Sequence, residues 1–211
     1  MRNDPLTRFA PSRGSLSRRA FGAGLAGGVA LAMLPQRTLA LDVNSARALI
    51  DRAIGEVNAV INSGKPETAM YRDFEGIFAR YADVPIIART ALGPAARSAS
   101  NAQMAAFTQA YQTYISRKYG RRFREFIGGR IDVTGARPLK SFYEVISVAT
   151  LQGEAPFDLR WHVSDKSGRD LFFNIIIEGV NMLNAERTEV GAMLDARRGD
   201  INALIGDLQN A

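Results

Sequence analysis

Phe157-Asp158-Leu159-Arg160-Trp161-His162-Val163, then the polar run Ser164 to Gly168, then Leu171-Phe172-Phe173-Asn174-Ile175-Ile176-Ile177-Glu178-Gly179-Val180, is the stretch whose reading decides the fold. In its first part every second residue is apolar. Side chains alternate between the faces of a strand, so Phe157, Leu159, Trp161 and Val163 share one face, and Asp158, Arg160 and His162 share the other. Ser164-Asp165-Lys166-Ser167-Gly168 has the chemistry of a hairpin turn. The β-branched and aromatic run after it reads as the return strand. Such a hairpin has an apolar face that another layer must cover.

Upstream, the alternation extends to Arg130–Thr134 and Phe142–Leu151, which gives four strands. A fifth, short strand is expected at Val180–Leu183. Before Arg130 the apolar period is helical. Ala46, Leu49, Ile50, Ala53, Ile54, Val57, Val60 and Ile61 form one stripe, capped by Asn44 or Ser45. A second helix, after Pro66, aligns Met70, Phe74, Ile77, Phe78 and Tyr81. Asp83 caps a third with Pro85 in its first turn, and Ser100 with Gln103 forms a capping box for a fourth. That fourth helix carries Met104, Phe107, Tyr111, Tyr114 and Ile115 and is expected to break at Gly120, with another short helix over Arg121 to Ile127. Two closing helices are expected at about 185–196 and 201–209. Helices first, then a strand meander, predict an α+β domain: N-terminal helices on one face of a curved four- to five-stranded antiparallel sheet, closed by C-terminal helices.

The 211-residue chain carries a formal charge of +6, but the excess is local. Residues 1–40 hold six arginines and a single acid, Asp4, which leaves 21 basic and 20 acidic residues for 41–211. The usual inference from basicity to nucleic acid therefore fails. Arg18-Arg19-Ala20-Phe21 precedes a mildly apolar, glycine-rich run to Leu34, followed by Thr38-Leu39-Ala40. A charged region, a short apolar core and small residues before a cut form an export signal. The arginine pair resembles a twin-arginine signal, with the general secretion route the alternative. The expected organisation is a cleaved signal at 1–40 and one domain at 41–211. The run is too short and too interrupted to span a bilayer. Its Gly22-x-Gly24-x-x-Gly27 lacks the preceding strand that a dinucleotide site needs.

Catalytic parts are scarce. The chain has no cysteine and one histidine, His162, expected on the solvent side of its strand, so hydrolytic triads and Cys or His metal sites lack members. No cofactor and no metal are expected. Asp83, Asp165 and Glu178 read as cap, turn and loop residues. Arg117, Lys118, Arg121, Arg122, Arg124 and Arg130, interleaved with Tyr119, Phe123 and Phe126, read either as a solvated helix face or as a contact for a partner or an anionic head group. The aromatic residues on the helices and strands mark either a filled core or the walls of an apolar cleft.

Tyr81-Ala82-Asp83-Val84-Pro85-Ile86-Ile87-Ala88-Arg89, Phe107-x3-Tyr111-x2-Tyr114, Lys118-Tyr119-Gly120, Leu159-Arg160-Trp161 and Ile177-Glu178-Gly179-Val180-Asn181-Met182 follow one another across about residues 45–208. In order and spacing they resemble the MlaC/toluene-tolerance family of periplasmic phospholipid-binding proteins. Phe172-Phe173-Asn174-Ile175 departs from the family's aromatic–Asp pattern. The resemblance implies a periplasmic carrier, not an enzyme. Acyl chains would lie between sheet and helices, with the head group near solvent. Implied partners are a phospholipid, an inner-membrane MCE-type ABC transporter complex and an outer-membrane lipoprotein complex, with no nucleic acid. The expected lipid-binding side chains are Phe74, Phe78, Tyr81, Val84, Ile87, Ala88, Leu92, Phe107, Tyr111, Tyr114 and Phe123 from the helices. The sheet is expected to add Val145, Leu159, Trp161, Val163, Ile175, Ile177 and Val180. The alternatives are the same fold carrying a hopanoid or another apolar lipid, a small-molecule enzyme with Asp83 or Glu178 as base, and a structural protein with a filled core.

Overall fold

The computed structural model describes residues 41–122 and 126–211. The expected export signal, Phe123 and Arg124 lie outside the described residues. Helices α1 (Val43–Ile61), α2 (Glu67–Tyr81), α3 (Val84–Leu92) and α4 (Asn101–Arg122) come first, with a 3-10 turn at Gly93–Arg97. Strands β1 (Arg130–Leu139), β2 (Phe142–Thr150), β3 (Phe157–Ser164), β4 (Leu171–Ile177) and β5 (Val180–Asn181) follow, then α5 (Met182–Ala196) and α6 (Ile201–Asn210). The sheet is an antiparallel meander in the order β1-β2-β3-β4-β5. One buried core runs from Leu41, just ahead of α1, to Leu208 in the last helix. This is the predicted α+β class, with the helices on one face.

Register explains which side chains face them. Val145 lies opposite Trp161, and Trp161 opposite Ile175; one step along, Ser147 lies opposite Leu159, and Leu159 opposite Ile177. These side chains point to the helices, while Asp158 and Arg160 are exposed on the other face. His162 departs from the expectation of a surface residue, since its side chain is only 12% exposed. Its neighbours are Phe142, Phe173, Glu144 and Asn174, which roof that part of the outer face.

Three local expectations change. Asp42 caps α1, in a capping box with Ser45 at its third position, so neither Asn44 nor Ser45 is the cap. Strand β1 runs past Thr134 to Leu139, because a bulge between Val133 and Gly135 absorbs one residue and Pro138 sits on an edge strand that needs no donor there. Helix α4 does not break at Gly120. A Cβ there would lie 2.6 Å from the Tyr71 ring, so the glycine serves the close approach of α2 to α4.

Two of the quoted motifs are structural joints. Asp83 caps α3 by accepting from the Ile86 amide, its backbone N–H donates to the Phe172 carbonyl at 2.7 Å, and its other oxygen accepts from the Ser167 hydroxyl. The α2–α3 corner is thus tied to β4 and to the β3–β4 turn. Glu178-Gly179 is a two-residue turn with both φ values positive, 49° and 80°, between the paired residues Ile177 and Val180. Asn181 then caps α5 by accepting from the Asn184 amide. This tight turn starts α5 at Met182, earlier than its sequence pattern indicates.

Candidate functional site

The inner face of the sheet and the helices do not close on each other completely. Between them lies a cavity of about 550 Å³, within the range of roughly 300–1,000 Å³ usual for ligand pockets. Helix α1 contributes Ala53 and Val57; α2 contributes Phe74, Ile77 and Phe78; α4 contributes Tyr111, Ile115 and Tyr119. The sheet adds Phe157, Leu159, Trp161, Phe172, Ile175 and Ile177. Exposed Arg122, Glu154, Ala155 and Glu178 also line it, which places its mouth where the end of α4, the β2–β3 loop and the β4–β5 turn meet. Tyr111 to Arg122 spans about 16 Å of helix axis, so the hollow is elongated.

The lining stays apolar because its polar edges are turned away. Trp161 donates from Nε1 to the Ser147 hydroxyl at 2.9 Å, inside the sheet, and packs edge-on against Phe172 with ring centroids 5.4 Å apart. Only the hydrocarbon part of the indole faces the hollow. A polar part of the lining is the wall between α4 and α5. There Lys118 Nζ donates to Glu186 Oε1 at 2.8 Å and to Glu189 Oε2 at 2.5 Å. Tyr119 donates to Glu186 and Tyr114 to Glu189. Burial, then hydrogen bonding to these carboxylates, pushes both phenols well above the ordinary tyrosine range, so they are donors at any physiological pH. Burial acts to raise Glu189 too, but its bonds from Lys118 and Tyr114 outweigh that and hold its carboxyl below the usual value.

Of the side chains expected to bind lipid, Phe74, Phe78, Ile87, Tyr111, Leu159, Trp161, Ile175 and Ile177 line the cavity. The others are held elsewhere. Phe107 is fully buried and stacks on Tyr111, while Val145 and Val163 are filled core of the sheet. Val84, Ala88 and Leu92 are buried on α3, which packs against α4 and α5. Tyr81 turns its hydroxyl to Glu56, Tyr114 is spent on Glu189, and Val180 is 55% exposed on the last strand. Phe123 lies outside the described residues. The lining also takes in residues outside that expectation, among them Ala53, Val57, Ile77, Ile115, Tyr119, Phe157, Phe172, Leu183 and Glu186. Extending the Tyr111 stripe by fours finds Ile115 and Tyr119; no apolar pattern points to Glu186.

The basic cluster is dispersed by the fold. Arg117 donates to the carbonyls of Gln209 and Ala211, Lys118 holds the α4–α5 wall, and Arg130 pairs with Asp132. Asp83 and Glu178 do not converge: the first is a buried cap away from the cavity and the second an exposed turn residue at the mouth.

A family model for the MlaC protein matches residues 51–210. The chain belongs to the MlaC family. Its fold is also similar to that of a phospholipid-binding protein from Ralstonia solanacearum, solved in complex with a phospholipid, with a TM-score of 0.67. That match has 17% sequence identity and covers 78% of this chain and 95% of the other. At that identity the likeness speaks for the fold alone, a helix layer on an antiparallel sheet.

Proposed function

We propose that this protein is a periplasmic carrier that holds phospholipid acyl chains in the cavity between sheet and helices. It passes them between an outer-membrane lipoprotein complex and an inner-membrane MCE-type ABC transporter. The observation that carries the reading is the elongated apolar hollow, open at one end, where a protein of this size ordinarily has solid packing. Membership of the MlaC family and the phospholipid in the Ralstonia relative support it.

The energetics explain why such a carrier works by docking. At about 0.8 kcal/mol per methylene, two chains with about 30 methylenes gain on the order of 20 kcal/mol before ordering costs. Cargo held that way does not leave into water at a useful rate. It leaves when a partner presents another apolar path to the mouth near Arg122, Glu154 and Glu178. No covalent step or cofactor enters the mechanism. Residues 1–40 serve as the export signal and 41–211 as the carrier domain. Native mass spectrometry of protein purified from cells tests the reading: a lipid adduct is expected, and a clean apo mass that stays unchanged on adding phospholipid vesicles refutes it. Extraction and identification of the adduct separate a phospholipid from a hopanoid.

A further inference from the structure

Helices α4 and α5 are the two lips of a seam along the cavity. Helix α4 ends at the mouth with Arg122, and α5 starts beside it after the Glu178-Gly179 turn, with Met182, Leu183 and Glu186 in the lining. Traced from the mouth, both helices run inward along the same wall. Helix α4 packs on α2, α3 and α6, and α5 packs on α3 and β4, but among the described residues no comparable backbone packing joins α4 to α5. Side chains span the gap. Lys118 is the keystone: its ammonium reaches both Glu186 and Glu189 and lies 5.6 Å from the ring centroids of Tyr114 and Tyr119. The hydroxyls of those two rings donate to the same two carboxylates.

The bridge reaches from the hollow to solvent. Tyr119 and Glu186 border the hollow, whereas the Glu189 side chain is 44% exposed and that of Lys118 27%. Such a closure differs in kind from apolar packing. Parting two apolar surfaces costs free energy in proportion to the area wetted. Parting hydrogen-bonded side chains at an exposed edge lets water take over their bonds, so the net loss per bond is small. Glu186 Oε2 adds to that balance: in the closed seam it accepts no hydrogen bond among the described residues, and opening gives it water. The seam is therefore the side of the wall that is least costly to open, and it begins at the mouth. A slit lengthening from the mouth lets an acyl chain leave sideways. Through the end opening alone the chain has to be drawn lengthwise past Arg122, Glu154 and Glu178.

We propose that Lys118, Glu186 and Glu189, with Tyr114 and Tyr119, form a latch, and that lipid enters and leaves when the latch opens the α4–α5 seam into a slit continuous with the mouth. This rests on the carrier reading and gives the route of its cargo. The test loads protein purified from cells with a pyrene-labelled phospholipid and follows its release into unlabelled vesicles of phosphatidylethanolamine and phosphatidylglycerol. The chain has no cysteine, so Lys118→Cys with Glu189→Cys supplies the only thiols. Joining them with a short bismaleimide after loading is expected to nearly abolish release. The same double variant capped with N-ethylmaleimide is expected to release at the wild-type rate or faster. Tyr114→Phe keeps the ring and removes one bond to an exposed carboxylate, so the fold stays intact. It is expected to speed release by up to about tenfold, the size of one hydrogen bond to a charged group. That bond exists in the closed protein whether loaded or empty, so the partition of lipid between protein and vesicles should not move. An unchanged rate in Tyr114→Phe, with or without a shifted partition, overturns the latch. Release from the bridged protein as fast as from the capped one overturns it too, since the lipid then passes endwise through the mouth, and leaves the carrier standing. Protein that takes up no labelled lipid in any form removes the carrier as well.

Discussion

Trp161 is the only tryptophan and lies on the cavity wall with its one donor on Ser147. The serine is 0% exposed, so nothing else can take that proton if it is removed. Ser147→Ala is therefore expected to cost about 1–3 kcal/mol, read from the urea midpoint, although the change removes a single oxygen. His162 gives a second test at this scale. Burial lowers its pKa below the ordinary value of 6.5, and the nearby Glu144 carboxylate only partly restores it. The unfolded chain then binds the proton more readily than the native one. Stability tied to this ring is complete above about pH 6.5 and is lost as pH falls through the folded pKa. Urea midpoints between pH 8 and pH 5 are expected to fall less steeply in His162→Gln than in the wild type; parallel slopes would show that the ring carries no linkage. The burial of His162 was not legible in the sequence. Alternation placed it opposite Trp161, but not under Phe142 and Phe173.

Elements were more legible than single contacts, since period and turn chemistry are local. Strand β4 was readable to its ends, whereas β1 was cut short because a bulge looks like a loop. Gly120 read as a helix break because a glycine's reason can lie in a neighbouring helix. The lining of the cavity was harder still: Phe107 and Tyr111 both face inward, and only the second borders empty space. A helical stripe marks the inner side, not whether anything fills it. The segment Ile177 to Met182 shows what a motif at this scale encodes. Glu178 occupies a left-handed conformation at φ 49°, which disfavours a side chain with a Cβ, and asparagine tolerates it better. Glu178→Asn is expected to raise stability by about 1 kcal/mol, while Gly179→Ala at φ 80° lowers it by at least as much. The urea midpoints of the two variants should move in opposite directions.

For the whole molecule the question is whether the hollow is a defect or a vessel, and the two answers assign opposite signs to the same substitution. Val57 is half-buried on α1 and borders the cavity. If this region were filled core, Val57→Trp would overpack it and cost about 1–3 kcal/mol, and added lipid would change nothing. With 550 Å³ available, the indole enters space that now contributes no contacts, and the lipid-free protein is expected to hold or gain stability. The same ring excludes the acyl chain. Wild-type protein given phospholipid at about a hundred times its dissociation constant should gain about 2.7 kcal/mol, seen as a higher unfolding temperature. Val57→Trp should show no such gain and should purify without lipid. A lipid-free variant less stable than the wild type, together with an unfolding temperature indifferent to lipid in both proteins, would mean that the space between sheet and helices is closed in solution.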